Sequence, residues 1–218
     1  MRTPIDLLDR LPPVKRNVAQ RGTEKTPEDR AIAKQFDREF FDGERRHGYG
    51  GYRYDGRWLP VARRFVDYYQ LQANAAILDV GCAKGFLMFD FLQVLPGCVV
   101  RGLDVSQYAK DHAHDGMGKF IDIGSADCLP YPEKSFDLVI SINSIHNLPL
   151  EACKQALREM ERVSREHKYL TVDAWRTPEE HHALRQWILT AETFMHVDDW
   201  VKTFAEVGFT GDYWWFIP

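Results

Sequence analysis

Cysteine is scarce: Cys82, Cys98, Cys128 and Cys153 are scattered through 218 residues with no C-x-x-C pair, so neither a disulfide frame nor a thiolate metal site is expected. A reducing, cytoplasmic setting is the expectation. No window approaches the ~20 apolar residues of a membrane span. The charged opening MRTPIDLLDR lacks the unbroken apolar region of a signal peptide, so a soluble chain without a membrane partner is expected. Positive charge is not in excess either. With 28 Lys and Arg against 32 Asp and Glu, the formal net charge is −4, which gives phosphate backbones no general pull and argues against a nucleic-acid partner. What the chain does have is 44% hydrophobic residues, enough for one good core.

Composition changes near Gln70. Residues 1–72 read as an arm and a helical lid, residues 73–218 as a core domain. The first 30 residues are charged and punctuated by Pro4, Pro12, Pro13 and Pro27, which predicts an arm with short helical pieces. PEDRAIAKQFDREFFDG, from Pro27 to Gly43, predicts one amphipathic helix, with proline and acids at its start and glycine at its end. RWLPVARRFVDYYQL predicts a second, from about Pro60. Between them lies HGYGGYRYDGRW, His47 to Trp58, which has four aromatics, four glycines and no aliphatic residue.

After Ala73 apolar runs alternate with helical segments. Strands are predicted at 75–80, 98–105, 119–126, 136–143 and 167–175. Helices are predicted at 84–95, 106–114, 150–164, 178–190 and 197–208, with YWWFIP as a last strand. Strand runs that do not alternate, separated by helices, predict a doubly wound α/β fold with a mostly parallel sheet covered on both faces. Its ligands should lie beyond the carboxyl ends of the strands, after Val80, Asp104, Ala126, Asn143 and Asp173.

The first of these ends reads LDVGCAKG. Gly81 and Gly85 permit a tight turn and a close backbone approach to a ligand. Asp104, in GLDVS, follows about twenty residues later, where a strand-end carboxylate can take both ribose hydroxyls of a nucleoside. A dinucleotide is disfavoured, because G-x-G-x-x-G from Gly81 would need glycine where Ala83 and Phe86 stand. The phosphate loop G-x-x-x-x-G-K-[ST] is also absent.

ILDVGCAKG, GLDVS and GSADCLPYPEKSFDLVISINSIHNL, taken in order, resemble the class I S-adenosylmethionine-dependent methyltransferases, in particular the small-molecule branch similar to methyltransferase type 11. The resemblance covers roughly residues 70–208 and implies a Rossmann-like fold with S-adenosylmethionine as cofactor. It implies that Asp79, Gly81, Ala83 and Gly85 lie along the methionine portion and that Asp104, followed by Val105, meets the ribose. It further places Ala126 and Asp127 at the adenine edge and the Asn143 carbonyl at the methionine ammonium. Two departures stand out: alanine at 83, where glycine is commoner, and only ten residues after Gly208, so the last strand pair is expected to be shortened or displaced.

Methyl transfer needs donor and acceptor held in line, and an alcohol acceptor must also lose a proton. His146, in SINSIHNL just past the fourth strand, is the candidate base or acceptor-orienting residue, with Asn147 beside it. The expected acceptor is a polar small molecule, such as a sugar or nucleotide-linked sugar, methylated on oxygen or nitrogen. Trp175 and Arg176 follow the fifth strand and are candidate acceptor contacts, as are Tyr49, Tyr52, Arg53 and Tyr54 if the glycine-aromatic dozen closes as a lid. An RNA methyltransferase and a noncatalytic nucleoside-binding scaffold are the alternatives. No metal is expected, since His112 and His114 point to different helix faces. The aromatic run YWWFI, left uncovered, would invite a homodimer.

Overall fold

The computed structural model describes residues 4–13 and 16–218; residues 1–3 and 14–15 of the expected arm lie outside them. The amino-terminal third contains α1 (Val18–Glu24), α2 (Pro27–Ala33), α3 (Arg38–Phe41) and α4 (Leu59–Tyr69). The helix expected from Pro27 to Gly43 is therefore two. Thr26 and Asp29 form a capping box at its start, but Phe36 takes a left-handed φ of 49° and Asp37 then caps a fresh turn by accepting from the Arg38 amide. An aspartate that can cap competes with helix continuation, which periodicity alone does not register.

The core alternates β1 (Ala76–Val80), α5 (Phe86–Val94), β2 (Val99–Asp104), α6 (Gln107–Asp111), β3 (Ile121–Ile123), β4 (Phe136–Ile142), α7 (Leu150–Val163), β5 (Ser164–Trp175), α8 (Pro178–Trp187), β6 (Met195–His196), α9 (Val197–Val207) and β7 (Asp212–Phe216). The strand order is β3-β2-β1-β4-β5-β6, with β7 also paired to β5. All the pairings are parallel, as the strand composition predicts. Both faces are covered, which is why the strands do not alternate. Leu78, Val80 and Leu103 pack with α7 and α9 through Met160, Trp200 and Phe204. Their neighbours Ile77 and Val100 pack on the other face with α4 and α5 through Phe65, Met88 and Phe91.

β3 is three residues long rather than eight, because a 3-10 segment, His114–Phe120, precedes it. At the carboxyl end of the chain the expected strand pair is present in displaced form. β7 runs parallel to β5, with Tyr169 opposite Asp212 and Asp173 opposite Phe216, while β6 contributes two residues beside Ala174 and Trp175. The expected exposure of YWWFI is reduced by the chain itself. The Ile5 amide donates to the Tyr213 carbonyl at 2.9 Å, Trp214 and Trp215 pack against the two core clusters, and Arg16 covers the Phe216 ring. The physical ground for expecting a dimer there is accordingly weaker.

α1 docks on α8. The Arg21 Nε donates to the Trp187 carbonyl at 2.9 Å, and the Lys25 ammonium reaches the carbonyls of Gln186 and Ile188, the open acceptors at the end of that helix. This clamp ties residues 16–25 to residues more than 160 positions later and shapes one wall of the site.

Candidate active site

β1 and β4 are neighbours, yet the chain leaves β1 toward β2 on one side and reaches β4 on the other, so a crevice opens past their carboxyl ends. A cleft of about 400 Å³ occupies it. The expected residues Gly81, Ala83, Asp104, Val105, Ala126 and Asn143 line it, and so do His146, Asn147 and Tyr49.

The glycine turn supplies its floor. Gly81, Ala83 and Gly85 have φ of 81°, 50° and 75°, a left-handed region that costs an alanine roughly 1–2 kcal/mol. The Ala83 amide offsets that strain by donating to Asp104 Oδ2 at 2.8 Å, while the Ser106 amide donates to Oδ1 at 2.9 Å. Asp104 is thereby pinned beside the turn with lone pairs left over. A Cβ on Gly81 would stand 1.9 Å from Ser144 Oγ, so two of the cleft's loops touch there.

Asp79 sits two residues before Gly81, between Gly102 and Ile140 of the adjacent strands. It is 6% exposed and, among the described residues, its carboxylate receives no hydrogen bond. Burial and then the charge of Asp104 push its carboxyl up to about 7; Asp104 is raised too, by burial against the pull of its backbone donors. Two buried carboxyls, one without a donor, form a site complementary to a cation. S-adenosylmethionine carries a sulfonium and an ammonium, so these residues fit that cofactor. Asp79 lies beneath the turn, Gly85 behind it, and Asp127 is half-buried next to the lining residue Ala126; none of the three lines the cleft itself.

On the opposite side, His146 and Asp173 form a buried pair. The Asp173 amide donates to His146 Nδ1 at 3.1 Å, which leaves the proton of the neutral ring on Nε2, 3.6 Å from Asp173 Oδ2. Burial lowers the His146 pKa and raises that of Asp173, each countered in part by the other. The His146 carbonyl accepts from the amides of Glu192 and Thr193, and the Asp173 carbonyl from Trp200 Nε1 at 3.0 Å, so both backbones are fixed. Asn147 Oδ1 is buried and, among the described residues, without a hydrogen-bond partner.

The dozen His47–Trp58 folds as a packed layer. His47 is buried with Nε2 3.0 Å from Asp29 Oδ1, and the amides of Tyr49 and Gly51 donate to the carbonyls of Phe40 and Phe41. Tyr52 stacks on Phe86 at 4.6 Å, and its hydroxyl, buried within the fields of Tyr49, Asp79 and Asp104, is raised. Tyr54 points elsewhere: it bonds Asp90 at 2.5 Å and stacks on His114. Arg53 is exposed. Trp175 stacks on His181 at 4.6 Å, and Arg176 is held by Glu180. The structure thus brings Tyr49 to the cleft, places Tyr52 behind the glycine turn, and puts Arg53, Tyr54, Trp175 and Arg176 outside the lining.

Gly124 and Ser125, from the same GSAD stretch as Ala126, also line the cleft, and Arg16, Arg21, Arg45, Trp187 and Phe216, which carried no sequence signal for the site, come from distant segments. Asp173 was legible only as a strand end. A latch also emerges at Lys84, 8% exposed, whose ammonium lies 2.5 Å from Asp42 Oδ2 and 3.2 Å from the Tyr52 carbonyl. Asp42 also accepts from the Tyr108 hydroxyl; despite partial burial, those donors hold its carboxyl below the usual range.

The chain is similar to known proteins in sequence and in fold. Residues 77–167 match the family model of a methyltransferase domain. The chain is 28% identical over 172 residues to an uncharacterized protein of Haemophilus influenzae, covering 73% of this chain and 61% of that one. It is 32% identical over 107 residues to the nocamycin O-methyltransferase of Saccharothrix syringae, covering 44% and 38%. The protein bound to the Haloferax volcanii Trm112 methyltransferase activator shares the fold at 15% identity, with a TM-score of 0.54 over 90% of this chain and 77% of that one. The chain thus spans about three fifths of the length of its Haemophilus relative.

Proposed function

We propose that this chain, whose residues 77–167 belong to the methyltransferase-domain family of the class I, S-adenosylmethionine-dependent fold, transfers a methyl group to a polar small molecule held in the cleft. The observation that carries the reading is the buried Asp79 carboxylate, without a donor among the described residues, beside Asp104 at the glycine turn, a pair of carboxyls at the switch point where the family places its cofactor. When bound, S-adenosylmethionine supplies a methyl group on a positively charged sulfur.

The chain's own residues have four tasks. Asp79 and the Asn143 carbonyl receive the ammonium end. Asp104 receives the ribose hydroxyls, and Gly124 to Ala126 flank the adenine. The Tyr49 and Phe40 rings, 5.1 Å apart, cover the cleft and exclude water. At the other wall His146 Nε2–H orients the acceptor oxygen or nitrogen, and Asn147 Oδ1 accepts a donor from it. Because the Nδ1 lone pair of His146 is already engaged by the Asp173 amide, an orienting role suits the ring better than a base. The raised carboxyl of Asp173 is the better-placed proton acceptor for a hydroxyl. A cleft of about 400 Å³ suits a small molecule, and the acidic net charge disfavours RNA as substrate.

Calorimetric titration with S-adenosylmethionine, S-adenosylhomocysteine and NAD tests the cofactor assignment. Binding of the first two and not the third is expected. Binding of NAD alone would overturn the reading.

A further inference from the structure

Three guanidiniums, those of Arg16, Arg21 and Arg45, line the cleft, as do Trp187 and Phe216. Among the described residues, none has a carboxylate within ion-pair distance. The two carboxylates that line the cleft are otherwise engaged: Asp104 by the amides of Ala83 and Ser106, Asp173 beside His146. Instead Arg16 and Arg21 stack on rings, while Arg45 donates from one guanidinium nitrogen to the Gly48 carbonyl. Arg21 lies over the Trp187 ring at 4.9 Å, and Arg16 over Phe216 at 4.8 Å. Stacking holds the planar group while leaving edge N–H donors free to fork onto an oxyanion. Arg21 is half-buried, and burial together with the neighbouring charges of Arg45 and Arg30 lowers its pKa to about 10. Repelling cations gathered in a cleft of an acidic chain lack a counter-ion that the fold itself does not supply.

The register says which ligand that counter-ion belongs to. Phe216, under Arg16, stands opposite Asp173 at the end of β5, on the same wall as His146. Going from β1 through β4 and β5 to β7 crosses three strand spacings, roughly 14 Å, so Arg16 is far from the Asp79 side of the cleft. We propose that the methyl acceptor carries an oxyanion, a carboxylate or a phosphate, seated among Arg16, Arg21 and Arg45, with its nucleophile presented to His146 and Asp173. This rests on the methyl-transfer reading and names the acceptor's class.

The test titrates inorganic pyrophosphate and, separately, succinate into the free protein and into protein saturated with S-adenosylhomocysteine, following heat. One of the two anions binds wild type, which distinguishes phosphate from carboxylate. Arg16→Gln and Arg21→Gln each weaken it roughly 10-fold or more, while affinity for S-adenosylhomocysteine changes less than about 2-fold. Arg21→Gln also removes the bond to the Trp187 carbonyl and can loosen α1, so Arg45→Gln, on a different segment, is measured beside it with a melting curve for each variant. The proposal is overturned if neither anion binds, if Arg16→Gln and Arg45→Gln leave anion affinity intact, or if the variants weaken S-adenosylhomocysteine as much as the anion. The last result would assign the arginines to the methionine carboxylate. Failure of the methyl-transfer reading looks different: wild type would not bind S-adenosylhomocysteine while still binding the anion.

Discussion

Asp79→Asn offers the sharpest test of the cation site. In the ligand-free protein the Asp79 carboxyl is raised from 3.8 to about 7 by burial and by Asp104. The folded state therefore holds this proton more tightly than the unfolded chain. Unfolding between pH 4 and 7 releases it, so Asp79 lowers stability progressively as pH rises through that window, and the cost is complete above about pH 7. At about 1.36 kcal/mol per pH unit, the cost is on the order of 1–2 kcal/mol at pH 5 and on the order of 4 kcal/mol at pH 8. Asparagine has the same shape and no charge, so the variant should gain about 2–3 kcal/mol on wild type between pH 5 and pH 8. In a chain of this length that is a relative Tm gain of roughly 5–10 °C. Cofactor binding should run the other way: the ammonium favours the ionised carboxylate, so binding to wild type at pH 6 releases about one proton, seen as a buffer-dependent heat. Asp79→Asn should lose both the proton release and much of the affinity. If wild type and variant show parallel stability curves from pH 5 to pH 8, the carboxyl is not held as argued here.

Gly81→Ala should destabilise by about 2–4 kcal/mol, from the left-handed φ and the collision with Ser144; thermal melts of Gly81→Ala/Ser144→Gly should recover the steric part alone, and additive losses would contradict that contact. His146→Ala should leave S-adenosylmethionine affinity within about 2-fold while kcat falls about 10²-fold or more, and unchanged turnover would remove the ring from the mechanism. Asp173→Asn, assayed on a hydroxyl acceptor, should flatten the acid limb of the pH–rate profile; a retained limb would place the base elsewhere. Lys84→Met strands Asp42 without its cation, so hydrogen exchange at the Tyr49 and Gly51 amides should quicken several-fold with about 1–3 kcal/mol of stability lost; unaltered exchange would show that the latch holds nothing.

Legibility in the sequence followed the range of the interactions involved. Strand β1 and the turn after it were readable because a buried parallel strand is a short apolar run and a left-handed turn selects small residues, so ILDVGCAKG states both. Asp104 was readable by its spacing from that turn. The break at Phe36 was missed because apolar spacing over Ile32, Phe36 and Phe40 satisfies a helix, whereas the Asp37 cap outweighs it locally. Tyr54 and Arg176 were misplaced because a strand end or an aromatic loop marks a neighbourhood, not a direction; Asp90 and Glu180 turned those side chains elsewhere.

The chain's sequence determined the doubly wound sheet, the glycine turn and the crevice at the ends of β1 and β4, since periodicity, glycine placement and one strand-end carboxylate act over a few residues each. Tertiary structure alone decided the cleft wall opposite the glycine turn. α1 reaches α8 across 166 positions through Arg21 and Trp187, β7 turns parallel to set Phe216 opposite Asp173, and the Asp173 amide takes the Nδ1 lone pair of His146. Such pairings depend on how separate elements close around one core, and no local pattern of residues encodes that.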